Sequence, residues 1–352
     1  MALQKKYISL DKKNRIRLYR MKFGYRGFNI LRHRRNLHEV AKKWKFSIND
    51  DVVCLNFHVC MPGSDKPLLI RIFNNTSQTD QKLRPTFFYI PGTAFIAFER
   101  AFSDFQCAHI ATVSHSQVIA INHRLAPEYT CPTAVQDVYR ILRYLLEPQN
   151  RTQLKIDMHE LAIGGYSSGG TVATLVAVAA SKEGIRFKKQ ILMSPLTDLS
   201  RSLRSHRKEE AKDNVIPEVF TTRFLNLYFG KNAEQVSDTK ELKRRKDSPW
   251  ASPLYMKIPP YMPAADITNE LFERFRSDGE AYAKKLATYG VLAFKQSIEH
   301  KERHGYWWHD LKSIEGVGKK LRFLFGKQSI PRPLTNIKSS NDIPEKISYC
   351  TL

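Results

Sequence analysis

Leu161-Ala162-Ile163-Gly164-Gly165-Tyr166-Ser167-Ser168-Gly169-Gly170 joins a short aliphatic run to a longer apolar one, residues 171–180. The first predicts a strand; the second is about half the length of a membrane span and predicts a buried helix. Between them lies the pattern G-x-S-x-G. A turn this sharp needs glycine, because a side chain at Gly165 or Gly169 would collide with neighbouring backbone, and it lifts the serine Oγ above the end of the sheet. The helix starting at Ser168 aims its free N–H groups and positive dipole end at developing negative charge. A bare G-x-S-x-G is a weak signal, but one framed by strand and helix makes Ser167 a candidate nucleophile.

Outward from this turn, short apolar runs alternate with helical patterns. Phe87-Phe88-Tyr89-Ile90, Val118-Ile119-Ala120-Ile121, Gln190-Ile191-Leu192-Met193 and Val291-Leu292-Ala293-Phe294 join Leu161-Ala162-Ile163 as central strands of a mostly parallel sheet. Ala134, Val135, Val138, Ile141, Leu142 and Leu145 recur at helical spacing and give one helix an apolar face. Repeated strand–helix–strand units make the chain an α/β protein with helices flanking the sheet. Residues 201–246 break the rhythm with dense charge and one helical pattern, residues 219–228, and read as an insertion. After Gly326 the periodicity fades among Pro331, Pro333, Ser339, Ser340 and Asn341, and the tail is expected to be mobile.

These motifs resemble the hormone-sensitive-lipase-like branch of the α/β-hydrolase fold. That branch's elbow reads Gly-Asp-Ser-Ala-Gly-Gly, where this chain has Gly165-Tyr166-Ser167-Ser168-Gly169-Gly170. Asn122-His123-Arg124-Leu125-Ala126-Pro127-Glu128 is similar to its Tyr-Arg-Leu-Ala-Pro-Glu block, with Pro132, Ala134 and Asp137 following in step; Arg124, Glu128 and Asp137 read as scaffold. The branch's His-Gly-Gly-Gly loop corresponds to Pro91-Gly92-Thr93-Ala94, with one glycine kept. The resemblance implies that the Thr93, Ala94 and Ser168 N–H groups form the oxyanion hole, because backbone donors survive the change of side chain. A loop needing positive φ at Thr93 would be strained there, since a β-branched residue resists it.

Phe275-Arg276-Ser277-Asp278-Gly279-Glu280-Ala281-Tyr282-Ala283 is similar to the branch's Leu-Arg-Asp-Glu-Gly-Glu-Ala-Tyr-Ala. Gapless counting back from it places Glu273 as the triad acid, whereas counting forward from Ile258-Pro259-Pro260 lands near Asn269 and Glu270. Glu273 is preferred and Glu270 is the alternative. His304-Gly305-Tyr306, after the strand expected over residues 291–298, resembles the branch's His-Gly-Phe and makes His304 the general base, with His300 and His309 as neighbours that compete for the role. The order Ser167, Glu273, His304 is that of the fold's triad. The implied architecture is a basic N-terminal cap segment over residues 1–50, a hydrolase domain over 51–328 carrying a cap insertion at 201–246, and a C-terminal tail over 329–352.

The resemblance implies a serine hydrolase that cleaves carboxylic esters, small or lipid, through an acyl-enzyme, and it implies no metal or organic cofactor. The altered loop leaves open a catalytically weak or silent ligand-binding protein on the same fold, a reading His304 argues against.

Composition bounds the partners. With 42% hydrophobic and 11% aromatic residues the chain has enough apolar material for a large core. Cys54, Cys60, Cys107, Cys131 and Cys350 are scattered and read as reduced thiols outside any metal or redox motif. No run nears the length of a membrane span, and the basic start lacks an apolar core after it, so the expected location is cytoplasmic. The net charge of +23 is uneven: the first 45 residues hold 15 Lys or Arg against Asp11 and Glu39. Tyr7, Tyr19, Phe23, Tyr25, Phe28 and Trp44 accompany them; the segment reads first as a solvated basic surface, and the partner it would suit is an anionic membrane surface rather than a specific nucleic acid. Nothing in the sequence sets the oligomeric state.

Overall fold

The computed structural model describes residues 29–43, 51–60, 67–76, 83–98, 100–203, 216, 218–230, 246–298 and 310–326. Its centre is an 8-stranded sheet: β1 (Val52–Val59), β2 (Leu68–Asn75), β3 (Arg84–Ile90), β4 (Gln117–Ile121), β5 (Ile156–Tyr166), β6 (Lys189–Met193), β7 (Ala264–Glu270) and β8 (Ala293–Ile298). The spatial order is β1-β2-β4-β3-β5-β6-β7-β8. β2 runs antiparallel to β1 and β4, and the remaining pairs are parallel. Around the sheet run α1 (Ile30–Lys43), α2 (Arg100–Ser114), α3 (Thr133–Leu146), α4 (Pro148–Gln153), α5 (Ser168–Lys182), α6 (Glu218–Tyr228), α7 (Arg276–Thr288) and α8 (Leu311–Gly326).

Alternation along the central strands divides the core in two. Phe88, Ile90, Ile119, Ile121 and Ile163 pack in one cluster with apolar residues of α3, α5 and α7. Phe87, Tyr89, Val118, Ala120 and Ala162 point the other way, toward α2 and α8. Both faces are covered, which is why these strands read as continuous apolar runs. Each fully buried large aliphatic or aromatic side chain contributes roughly 1.5–3 kcal/mol. Helix α5 is apolar all round and buried along nearly its whole length, as a helix in the middle of a core must be. The face read on α3 is buried, and Asp137 is buried beside it.

Four of the five expected runs lie wholly within β3, β4, β5 and β6; the fifth begins two residues early, because the Val291 N–H still closes the turn after α7 onto Leu286 O at 3.0 Å. Strands β1, β2 and β7 were not legible as apolar runs. β1 alternates half-buried with exposed positions at the sheet edge, and β7 ends in the polar residues Thr268, Asn269 and Glu270. Among the described residues no helix is long and apolar enough to cross a membrane.

Candidate active site

The parallel strands deliver their carboxyl ends to one edge of the sheet, the position where open α/β sheets bind ligands. β5 occupies the middle of this edge, paired through Gly165 to Ile90 on β3 and to Leu192 on β6. The next residue but one is Ser167, buried, with φ +55° and ψ −124°. A non-glycine residue in such a conformation costs about 1–3 kcal/mol and persists only where its surroundings over-determine it. They do so here. Its N–H donates to Met193 O at 2.9 Å, and its carbonyl accepts the Gly170 N–H at 2.9 Å. A Cβ on Gly169 would sit 2.1 Å from Ile90 O and one on Gly165 would sit 2.5 Å from the same atom, so the turn presses directly on the backbone leaving β3.

That backbone is the candidate oxyanion loop, residues 91–95. The Thr93 carbonyl accepts the N–H groups of Ile96 and Ala97, both at 3.0 Å, and Thr93 Oγ1 accepts the Phe95 N–H at 3.0 Å. Positive φ falls on Ala94 (+47°) and Phe95 (+62°), one and two residues beyond the threonine where strain would have been worst. The Thr93 N–H, expected among the oxyanion donors, is directed at Ser168 Oγ at 2.9 Å. The Ser168 N–H opens α5, ahead of the first helical hydrogen bond, which the Gly170 N–H makes to Ser167 O.

The loop is held from two further sides. On one side the Ala126 N–H donates to Phe95 O at 2.9 Å, and the chain leading to it is fixed by Asp137, which accepts the Arg124 N–H at 3.0 Å and Arg124 Nη2 at 2.7 Å, an ion pair with the carboxylate fully buried. The hydrogen bond to Asp137 raises the Arg124 pKa. In front, Arg34 of α1 donates to Ile96 O and Ala126 O, both at 2.8 Å, and grips the Glu128 carboxylate with two bonds of 2.7 and 2.8 Å. That grip holds Glu128 below its ordinary pKa. Helix α6 reaches the same loop, Tyr228 stacking on Phe95 with ring centroids 3.8 Å apart, and it meets α1 where His33 and Phe220 lie 5.6 Å apart. Arg34 and Tyr228 escaped sequence reasoning; the one signal for either was the apolar pattern around residue 228.

The residue expected to be the acid lies past β7. Glu273 is fully buried, and its Oε1 accepts Asn269 Nδ2 at 2.6 Å and the Glu270 N–H at 3.1 Å. Glu270 itself is buried at the strand end, opposite Ile298 of β8. The two competing glutamates therefore sit in one turn, with Glu273 receiving the turn's donors. Next to it Arg274 donates to Ile216 O and, at 2.9 Å, to Glu218 Oε2, joining this corner to α6 as well. His304, His300 and His309 lie outside the described residues, as do residues 1–28 of the basic segment, most of 201–246 and the tail. Among the described residues no group of His, Cys, Asp and Glu could hold a metal ion.

A family model for the alpha/beta hydrolase fold matches residues 87–307, a span that runs from β3 past β8. The chain is 27% identical over 236 residues to an arylesterase of Saccharolobus solfataricus, covering 66% of this chain and 71% of that one. It is 30% identical over 183 residues to arylacetamide deacetylase of Bos taurus, covering 48% of this chain and 46% of that one. Among solved structures, an esterase of Pyrobaculum calidifontis superposes with a TM-score of 0.72 over 90% of this chain and 98% of that chain at 23% identity, a likeness of fold.

Proposed function

The chain belongs to the α/β-hydrolase fold family, in its hormone-sensitive-lipase-like branch, and from that premise we propose that it is a carboxylic ester hydrolase working through Ser167. His304 takes the Ser167 proton as Oγ attacks the acyl carbonyl, and Glu273 orients the imidazole and stabilises it as a cation. The Ala94 and Ser168 N–H groups hold the oxyanion; Thr93, whose N–H faces Ser168 Oγ, takes a different part. His304 returns the proton to the departing alcohol, and water then cleaves the acyl-enzyme by the same steps in reverse roles. The single observation that carries this reading is Ser167 at φ +55° on the turn into α5, against the loop leaving β3.

The proposed substrate is an uncharged carboxylic ester, small or lipid, and relatives named for aryl esters and arylacetamides make an aryl acetate the first to try. With p-nitrophenyl acetate the full chain is expected to release p-nitrophenol in a burst followed by steady turnover, the signature of an accumulating acyl-enzyme. Turnover that Ser167→Ala leaves intact would overturn the assignment. The proposal extends to residues 1–50 as a basic cap segment suited to an anionic membrane surface. Hydrolysis of esters in anionic vesicles should then fall steeply with salt while that of p-nitrophenyl acetate barely changes. Equal salt dependence of the two would reduce the segment to a solvated surface.

A further inference from the structure

Three side chains that the mechanism above does not use meet beside the nucleophile turn. Thr93 Oγ1 lies 3.3 Å from His123 Nε2 and 3.4 Å from Ser168 Oγ, and the Thr93 N–H donates to that same Ser168 oxygen at 2.9 Å. All three residues are buried. The hydrogen positions follow from what each atom can do. His123 Nδ1 is 2.9 Å from the Arg124 carbonyl oxygen, which can only accept, so Nδ1 carries the proton. Burial lowers the His123 pKa and keeps the ring neutral, which leaves Nε2 as an acceptor. The Thr93 hydroxyl therefore donates to Nε2, the Ser168 hydroxyl donates to Thr93 Oγ1, and the Thr93 amide donates to Ser168 Oγ. No donor faces a donor.

Each member is also a departure from the branch's pattern, and each comes from a different motif. Thr93 stands at a glycine of His-Gly-Gly-Gly, Ser168 at the alanine of Gly-Asp-Ser-Ala-Gly-Gly, and His123 at the tyrosine of Tyr-Arg-Leu-Ala-Pro-Glu. Glycine and alanine at the first two positions would have no hydroxyl to offer. Three departures scattered over 76 positions, 93 to 168, thus converge on one hydrogen-bonded cluster next to Ser167. A buried polar cluster of this kind rigidifies its surroundings when every member is satisfied.

We propose that His123 and Ser168 are positioning residues that act through Thr93 to fix the oxyanion loop of this chain. The cluster ties the loop to the start of α5 and to the end of β4, and it occupies the Thr93 N–H so that the Ala94 and Ser168 N–H groups face the acyl oxygen. It does with side-chain hydrogen bonds what a loop of glycines does with close backbone contact. The inference rests on Ser167 being the nucleophile.

The test is steady-state kinetics of the full chain on p-nitrophenyl acetate, with active sites titrated by a fluorophosphonate. His123→Phe removes the acceptor, and His123→Gln offers an amide oxygen in place of Nε2. Thr93→Val keeps size and branching while removing only the hydroxyl, and it guards against a His123→Phe variant that fails to fold; Thr93→Ser restores the hydroxyl. Displaced donors cost roughly 10²-fold in rate, so His123→Phe and Thr93→Val should each lose about that much in kcat with KM nearly unchanged, while His123→Gln and Thr93→Ser recover most of it. Wild-type kcat in titrated Thr93→Val, or no recovery in either conservative variant, would overturn the proposal. Failure of the underlying reading is separate and appears in the wild-type chain, as labelling that does not map to Ser167.

Discussion

The proposed nucleophile corner and the proposed acid corner are built by different means. At the first, backbone does the positioning: Ser167 sits between a strand paired on both sides and a loop pressed against Gly165 and Gly169, with its own N–H and C=O both engaged. At the second, side chains carry more of it. Glu273 is held by the Asn269 amide and one backbone N–H, and the neighbouring strand β8 lies at the edge of the sheet with Phe294 59% exposed. A corner fixed by packed backbone resists displacement but loses stability when its braces are cut. A corner fixed by a few side-chain bonds loses function first when its key carboxylate is changed.

The largest expected effect lies at the acid corner. Glu273→Gln should lower kcat by up to about 10⁴, the loss seen when a triad acid is made an amide in the reference serine protease, while Glu270→Gln falls far less. The reverse ranking in kcat would move the triad to Glu270 and reassign Glu273 as the brace.

The next effect separates stability from rate at the nucleophile corner. Asp137→Ala leaves Arg124 partly buried without its carboxylate, and removing one partner of a buried pair costs about 3–5 kcal/mol. Urea denaturation should show that loss, with kcat per folded, titrated active site much closer to wild type. A large fall in titrated kcat with no change in urea midpoint would break the contrast between the two corners.

The smallest effect belongs to the pair on the other side of the same loop. Arg34 and Glu128 are 26% and 48% exposed, so their double-mutant coupling should be only about 0.2–1 kcal/mol. The Glu128 pKa is lowered in the folded chain by the hydrogen bond from Arg34. Its contribution is therefore present above the ordinary glutamate range, near 4.3, and is lost as pH falls through the folded value. Thermal melts of Glu128→Gln against the wild type should differ slightly at neutral pH and converge in acid. A gap that widens in acid would contradict the pairing.

This difference in construction also explains what could be read from residues alone. Backbone constraints leave marks in sequence, because a close approach at Gly165 or Gly169 admits only glycine and a strand covered on both faces reads as a continuous apolar run. The turn, the central strands and the helix bearing Asp137 were legible for that reason. Glu273 and Glu270 could not be told apart by spacing, since either side chain is long enough to serve from the same turn; the bonds Glu273 accepts from Asn269 and the Glu270 N–H were equally hidden. The direction of the Thr93 N–H was equally hidden, because it depends on a hydroxyl at residue 168 reaching across 75 positions in sequence. β7 escaped notice because Asp266, Thr268, Asn269 and Glu270 break up its apolar residues.

Labelling with a fluorophosphonate probe, followed by peptide mapping, asks which serine is the nucleophile. A single adduct on Ser167 is expected in the wild-type chain and none in a folded Ser167→Ala variant. An adduct on Ser168, or labelling that persists in Ser167→Ala, would contradict the Ser167 assignment.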